Sequence, residues 1–237
     1  DTLRVTMEEM LHHARAVLRG APEALIIGDM LFLSYQCSVE EAIRNAGRFV
    51  KEGYVDAVKL EGGRERTAAV RGIIAAGIPV MGHLGLTPQS SGLLGGYRVQ
   101  GTDATSAQRI LEDAHKLEQA GVFSLVLECV PEQLGQLVTK NLSVATVGIG
   151  AGKYCDGQVL VIHDLLGIGS GYSPRFVRRY AQLEETMREA VRRFRDDVAR
   201  GEFPGNEESF QMPAEERERL DRLVSPPEGS STQDTGS

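Results

Sequence analysis

Short apolar runs alternate with longer amphipathic segments along most of this chain, and that rhythm leaves few folds open. The apolar runs fall at residues 24–27, 57–60, 79–81, 124–127, 144–149 and 158–162, bounded by glycine, proline or charge, as buried parallel strands are. Helical patterns lie between them, over 38–52, 64–76, 105–120 and 131–141. Ser38 and Thr105 are expected N-caps, with Glu41 and Gln108 as capping-box partners. Gly53, Gly77 and Gly121 are placed to end helices in the left-handed conformation. A helix over 6–18 precedes the first strand, and a long charged helix (174–200) and a short segment (213–223) follow the last. Repetition of strand and helix about every thirty residues predicts a parallel sheet with helical crossovers. A doubly wound sheet should open with a glycine-rich turn after its first strand, and none is present, so an α/β barrel is the expected fold. Six strands are counted where a closed (β/α)8 barrel has eight. The barrel is assigned to residues 1–210, and 211–237 to a short helix and a Ser/Pro/Gly/Asp-rich tail expected to be disordered.

Composition removes several alternatives. With 41% hydrophobic residues over 237 positions the chain can bury a core, yet no run of 18 apolar residues exists, so no membrane-spanning helix is expected. The opening Asp1-Thr2-Leu3-Arg4 carries neither a secretion-signal nor a transit-peptide pattern. A formal charge of −7 argues against nucleic acid as the partner. Cys37, Cys129 and Cys155 are isolated and odd in number, which supports neither a zinc site nor a disulfide framework.

In a barrel of this kind the site lies where the strands end. Asp29 closes the first run, Lys59 and Glu61 the second, His83 the third, Glu128 the fourth, the glycines 148, 150 and 152 the fifth, and His163-Asp164 the sixth. Each has a plainer reading: a carboxylate can cap the next helix, Lys59 can offset Glu61, and a histidine can be a satisfied core group. Ionisable groups at nearly every strand end favour a site, because charge is rarely buried unpaired. Asp29 and Glu61 are hard oxygen donors suited to magnesium, which would let a 2-keto acid enolise. Lys59 and His83 can donate to the keto acid, and Glu128 can act as general acid or base. The connection 84–101, with Gly92, Gly95, Gly96 and Gly101, is either a lid or a flexible surface loop. The Gly148–Gly152 pattern is a weak phosphate-cradle signal, equally explained by close packing.

Several words at these positions are distinctive: Val58-Lys59-Leu60-Glu61-Gly62-Gly63, Gly82-His83-Leu84-Gly85-Leu86-Thr87-Pro88-Gln89-Ser90, Leu127-Glu128-Cys129-Val130-Pro131 and Asp156-Gly157-Gln158-Val159-Leu160-Val161. In this order the chain resembles the ketopantoate hydroxymethyltransferases over about residues 1–210. The resemblance implies a magnesium-dependent (β/α)8 barrel of the phosphoenolpyruvate mutase-like group, six of whose strands lie in this chain. It implies transfer of a hydroxymethyl group from 5,10-methylenetetrahydrofolate to 3-methyl-2-oxobutanoate. Asp29 then matches a metal and substrate ligand, Glu61 an acidic residue near the metal, Lys59 and His83 keto-acid contacts, and Glu128 the proton acceptor. It also implies a homo-oligomer, often a decamer, in the cytoplasm of a bacterium or the mitochondrion of a fungus or plant. The spelling around residues 49–63 and 91–101 is closer to fungal or plant members.

Two departures stand out. The family carries an N-terminal segment with two strands and a Gly-Asp-Ser, and nothing in this chain matches it. Where the family has Pro-Phe-Gly-Ser-Tyr, this chain has Leu31-Phe32-Leu33-Ser34-Tyr35. If these residues were the whole molecule, metal affinity and activity should be much reduced. A structural subunit without catalysis, or another magnesium-dependent carbon–carbon lyase of the same barrel group, are the alternatives.

Overall fold

The structure is a computed structural model, which describes residues 2–90, 92, 96–169 and 173–224. It divides into two compact units, Asp1–Ala181 and Gln182–Ser237. The first holds a parallel sheet of six strands: β1 (Ile27–Asp29), β2 (Ala57–Glu61), β3 (Val80–Gly85), β4 (Ser124–Glu128), β5 (Ala145–Ile149) and β6 (Gly157–Gln158). Helices α1 (Met7–Gly20), α2 (Val39–Gly53), α3 (Thr67–Ala75), α4 (Ala104–Ala120) and α5 (Glu132–Asn141) alternate with the strands, and α6 (Ile162–Leu166) follows them. The strands lie in chain order, β1 to β6, each parallel to its neighbour. A doubly wound sheet reverses direction partway, whereas an order that never reverses is that of a barrel wall. Its crossovers, right-handed as such connections are, all step the same way and keep the helices on one face.

That face is apolar and tightly packed. Val58, Leu60, Leu125 and Leu127 point toward the helices and are fully buried with Phe49, Val70, Ile73 and Leu117. Burial of each such side chain contributes about 1.5–3 kcal/mol. Two strand glycines admit helix side chains: a Cβ at Gly28 would fall 2.5 Å from the Phe49 ring, and one at Gly82 would fall 3.0 Å from Leu117.

Several element boundaries differ from expectation, each for a local reason. β1 begins at Ile27 rather than 24 because the Ile26 N–H donates to the Asp56 carboxylate (2.8 Å) and pairing with β2 starts one residue later. β6 ends at Gln158, and the apolar run expected to extend it turns into α6, where the Leu165 N–H bonds the Val161 carbonyl (3.0 Å). α4 is capped by Asp103 with Ser106, not by Thr105 with Gln108. Ser38 caps α2 as expected, its hydroxyl accepting from the Glu41 N–H. Gly53 stays helical where α1 passes close, at 3.1 Å from Leu11 to a would-be Cβ, and Tyr54 takes the left-handed cap instead. Gly121 caps α4 in that conformation, and Gly77, just past α3, has φ +88°.

The second unit contains α7 (Leu183–Arg200) and α8 (Ala214–Val224). The long helix expected from 174 starts at Leu183, since a hydrogen bond from Tyr180 N–H to the Leu165 carbonyl (2.8 Å) diverts the chain first. Residues 225–237, expected to be a disordered tail, lie outside the described residues, as do Ser91, Leu93, Leu94 and Gly95 of the glycine-rich connection.

Candidate active site

Strand pairing decides which polar residues meet. Asp29 pairs with Lys59, Glu61 with His83, and Gly85 with Glu128. Paired residues of parallel strands share a face, and residues two apart on one strand do too. From Asp29 to Lys59, on to Glu61, across to His83, on to Gly85 and across to Glu128, the path never changes face. All five ionisable groups therefore stand on the side opposite the helices, at the carboxyl ends of four consecutive strands.

Their contacts form a continuous chain. Lys59 Nζ lies 2.9 Å from Asp29 Oδ1 and 3.3 Å from His83 Nδ1. His83, 2% exposed, has Nε2 at 3.2 Å from Glu128 Oε2 and Nδ1 at 3.8 Å from Glu61 Oε1. Burial, then the neighbouring Lys59 charge, lowers the His83 pKa, so the imidazole is neutral. With Nδ1 accepting from the ammonium, the proton belongs on Nε2, facing Glu128. The Nε2–Glu128 contact is nonetheless poorly aligned, and neither His83 Nε2 nor Asp29 Oδ1 makes a directed hydrogen bond.

Glu61 is the most deeply enclosed carboxylate of the set. Its pKa is pushed up to about 7 mainly by burial, against the lowering pull of Lys59 and a hydrogen bond from the Gln89 backbone N–H (3.0 Å). Gln89 and Tyr35 build the wall behind it. Gln89 Nε2 donates to the Met30 carbonyl (2.7 Å), and the Tyr35 hydroxyl donates to Gln89 Oε1 (2.9 Å) while accepting from the Glu61 N–H (3.1 Å). Burial raises the Tyr35 pKa, keeping it a neutral donor. Neither residue was a candidate from the sequence.

The turn after β1 carries the altered wording in a defined conformation. Leu33 adopts φ +64° where the family pattern has glycine, the Ser34 N–H bonds the Leu31 carbonyl (3.0 Å), and Tyr35 is buried. Two glycines at the end of β5 sit in close packing. A Cβ at Gly150 would lie 2.7 Å from Phe176, and one at Gly152 2.5 Å from Glu132. His163 is exposed on α6, whereas Asp164 and Glu128 line a common cavity with Cys129. Burial and the Glu128 charge push the Cys129 thiol up to about 11. All three cysteines are free.

Asp29 and Glu61 are the residues here that could hold a divalent cation. Asp29 Oδ1 is closed off from solvent and lacks a directed partner, and Glu61 adds a second hard oxygen donor. Among the described residues no group of three or more His, Cys, Asp or Glu side chains gathers as a full ligand cage. Such an ion would complete its shell with water and substrate, as magnesium commonly does.

A partial (β/α) barrel with a buried acid–base cluster at the carboxyl ends of its strands is the arrangement of a barrel enzyme's active site. The profile of the ketopantoate hydroxymethyltransferase family matches residues 1–206, and the chain belongs to that family. Two relatives named 3-methyl-2-oxobutanoate hydroxymethyltransferase illustrate the closeness. The protein of Syntrophus aciditrophicus is 56% identical over 210 residues (89% of this chain, 77% of that protein). That of Syntrophomonas wolfei is 52% identical over 223 residues (94% and 80%). These relatives are bacterial, so the fungal or plant spelling, and the mitochondrial address tied to it, find no support among them. A crystal structure of 2,3-dimethylmalate lyase, of the PEP mutase/isocitrate lyase superfamily, superposes with a TM-score of 0.49 at 14% identity, covering 96% of this chain and 80% of that one. No helix among the described residues is long and apolar enough to cross a membrane.

Proposed function

We propose that this chain transfers a hydroxymethyl group from 5,10-methylenetetrahydrofolate to C3 of 3-methyl-2-oxobutanoate, forming 2-dehydropantoate for pantothenate synthesis. The observation that carries the proposal is the single sheet face shared by Asp29, Lys59, Glu61, His83 and Glu128. Asp29 and Glu61 would hold magnesium, which when bound supplies polarisation of the keto oxygen. The Lys59 ammonium, braced between Asp29 and His83, orients the substrate carboxylate and holds positive charge beside the developing enolate. Glu128 takes the C3 proton onto a carboxylate oxygen, with the neutral His83 imidazole beside it, Nε2 3.2 Å from Glu128 Oε2. C3 then bonds to the methylene carbon as both of its bonds to folate nitrogen break. Water supplies the hydroxyl oxygen, while the C3 proton and one water proton end on the two nitrogens.

The homo-oligomer reading draws support from α7, where Met187, Val191, Phe194 and Val198 form an exposed apolar stripe at helical spacing. The chemistry is tested by NMR detection of deuterium exchange at C3 of 3-methyl-2-oxobutanoate with magnesium and no folate. Glu128→Gln should slow exchange by about 10³-fold, in the range of a lost general base, with keto-acid binding retained. Exchange at the wild-type rate in Glu128→Gln would remove that residue from the mechanism.

A further inference from the structure

Two cavities adjoin at the carboxyl ends of the strands. One, of about 460 Å³, is mainly apolar, walled by Leu86, Ile149, Val161 and Phe176, and reaches Glu128. The other, of about 530 Å³, is lined by Gly150, Lys153, Phe176, Arg178 and Tyr180. They share the Phe176 ring, which packs against Gly150 where a Cβ would lie 2.7 Å from it. Glycine at 150 thus leaves room for the ring that both cavities share.

The second cavity is lined by two cations and by no carboxylate. Several helix arginines of this acidic chain are ion-paired, including Arg48, Arg64, Arg188 and Arg192. Lys153 and Arg178 are exposed and form no ion pair with a carboxylate among the described residues; Lys153 instead lies over the Tyr154 ring at 5.3 Å. Two uncompensated cations beside an apolar slot that ends at the proposed base form a receptor for a ligand with a flat apolar body and an anionic tail.

We propose that the folate co-substrate binds across both cavities. Its ring system lies against Phe176 with the one-carbon unit toward Glu128, and its glutamyl carboxylates sit on Lys153 and Arg178. This deepens the transferase proposal and rests on it. It makes the cationic cavity a selector for longer glutamyl tails, each added glutamate bringing another carboxylate.

The test is calorimetric titration of the wild-type chain, Lys153→Ala/Arg178→Ala and Phe176→Ala with tetrahydrofolate bearing one or three glutamates. Wild type should bind the triglutamate about tenfold more tightly at low salt, a preference that shrinks as salt screens it. The double variant should lose the preference, and Phe176→Ala should weaken both ligands while keeping their ratio. The ratio is read within each variant, so a fraction of misfolded protein does not alter it. A double variant that keeps the preference, or a wild type that shows none, overturns the proposal. Wild-type deuterium exchange at C3 needs no folate and is scored separately. Its failure alongside an intact glutamate preference would sink the transferase proposal and leave the folate site standing.

Discussion

Gly85→Ala should cost both stability and turnover, because this residue meets two independent constraints at the point where β3 touches the base-bearing strand. Its φ is +95°, a region alanine enters at a cost of about 1–3 kcal/mol. An added Cβ would also fall 2.1 Å from the Glu128 backbone oxygen and 2.8 Å from Val130 Cγ1. Backbone cannot swing aside as a side-chain tip can, so overpacking adds about 1–3 kcal/mol more. The total, about 2–6 kcal/mol, is a large share of the 5–15 kcal/mol that holds a typical domain together. The same carbonyl accepts from the Leu86 N–H (2.8 Å), so the clash must move the Glu128 peptide. Displacement of a catalytic group by about 1 Å can cost about 10²-fold in rate. Gly77→Ala is the matched control: its φ is +88°, but nothing lies within 4 Å of the would-be Cβ. Urea unfolding of both variants, with C3 exchange measured on each, separates strain from clash. Gly77→Ala should lose only the backbone term and keep wild-type exchange. Equal stability losses in the two variants would refute the clash, and full exchange in Gly85→Ala would refute its link to Glu128.

Two further outcomes are expected. In metal-free protein the Glu61 pKa rises from 4.5 to about 7 on folding, so its favourable contribution is complete below about 4.5 and is lost as pH climbs through 7. The change converts to about 3 kcal/mol. Glu61→Gln should therefore stabilise the chelated protein relative to wild type at pH 8 but not at pH 4, and a pH-independent difference in urea midpoints would contradict the burial argument. Leu33→Gly should raise stability by about 0.5–1 kcal/mol, since relief of left-handed strain outweighs the entropy of a new glycine. A thermal melt that falls would show that the Leu33 side chain contributes more than its exposed position implies.

Much of the architecture is local chemistry and was readable in the residues alone. Periodicity located six strands and the helices between them, and Ser38 and Gly121 marked helix ends with groups suited to those conformations. The strand-end residues Asp29, Lys59, Glu61, His83 and Glu128 were visible as candidates because ionisable groups at the ends of apolar runs are unusual. Boundaries failed where a partner distant in sequence decided them: Asp56 for the start of β1, Leu165 for the delay of α7, and Leu11 for the close packing at Gly53.

Side-chain character along the chain was sufficient to name the wall of a barrel and the charges at its mouth. Only the tertiary structure could show that five of those charges share one face, because a slip of one residue in any strand pair sends its side chains to the other side. The same holds for the neutral state of His83, the raised Glu61, and the supporting roles of Gln89 and Tyr35. Each depends on burial and on neighbours brought close by pairing, and neither quantity is encoded at a single position.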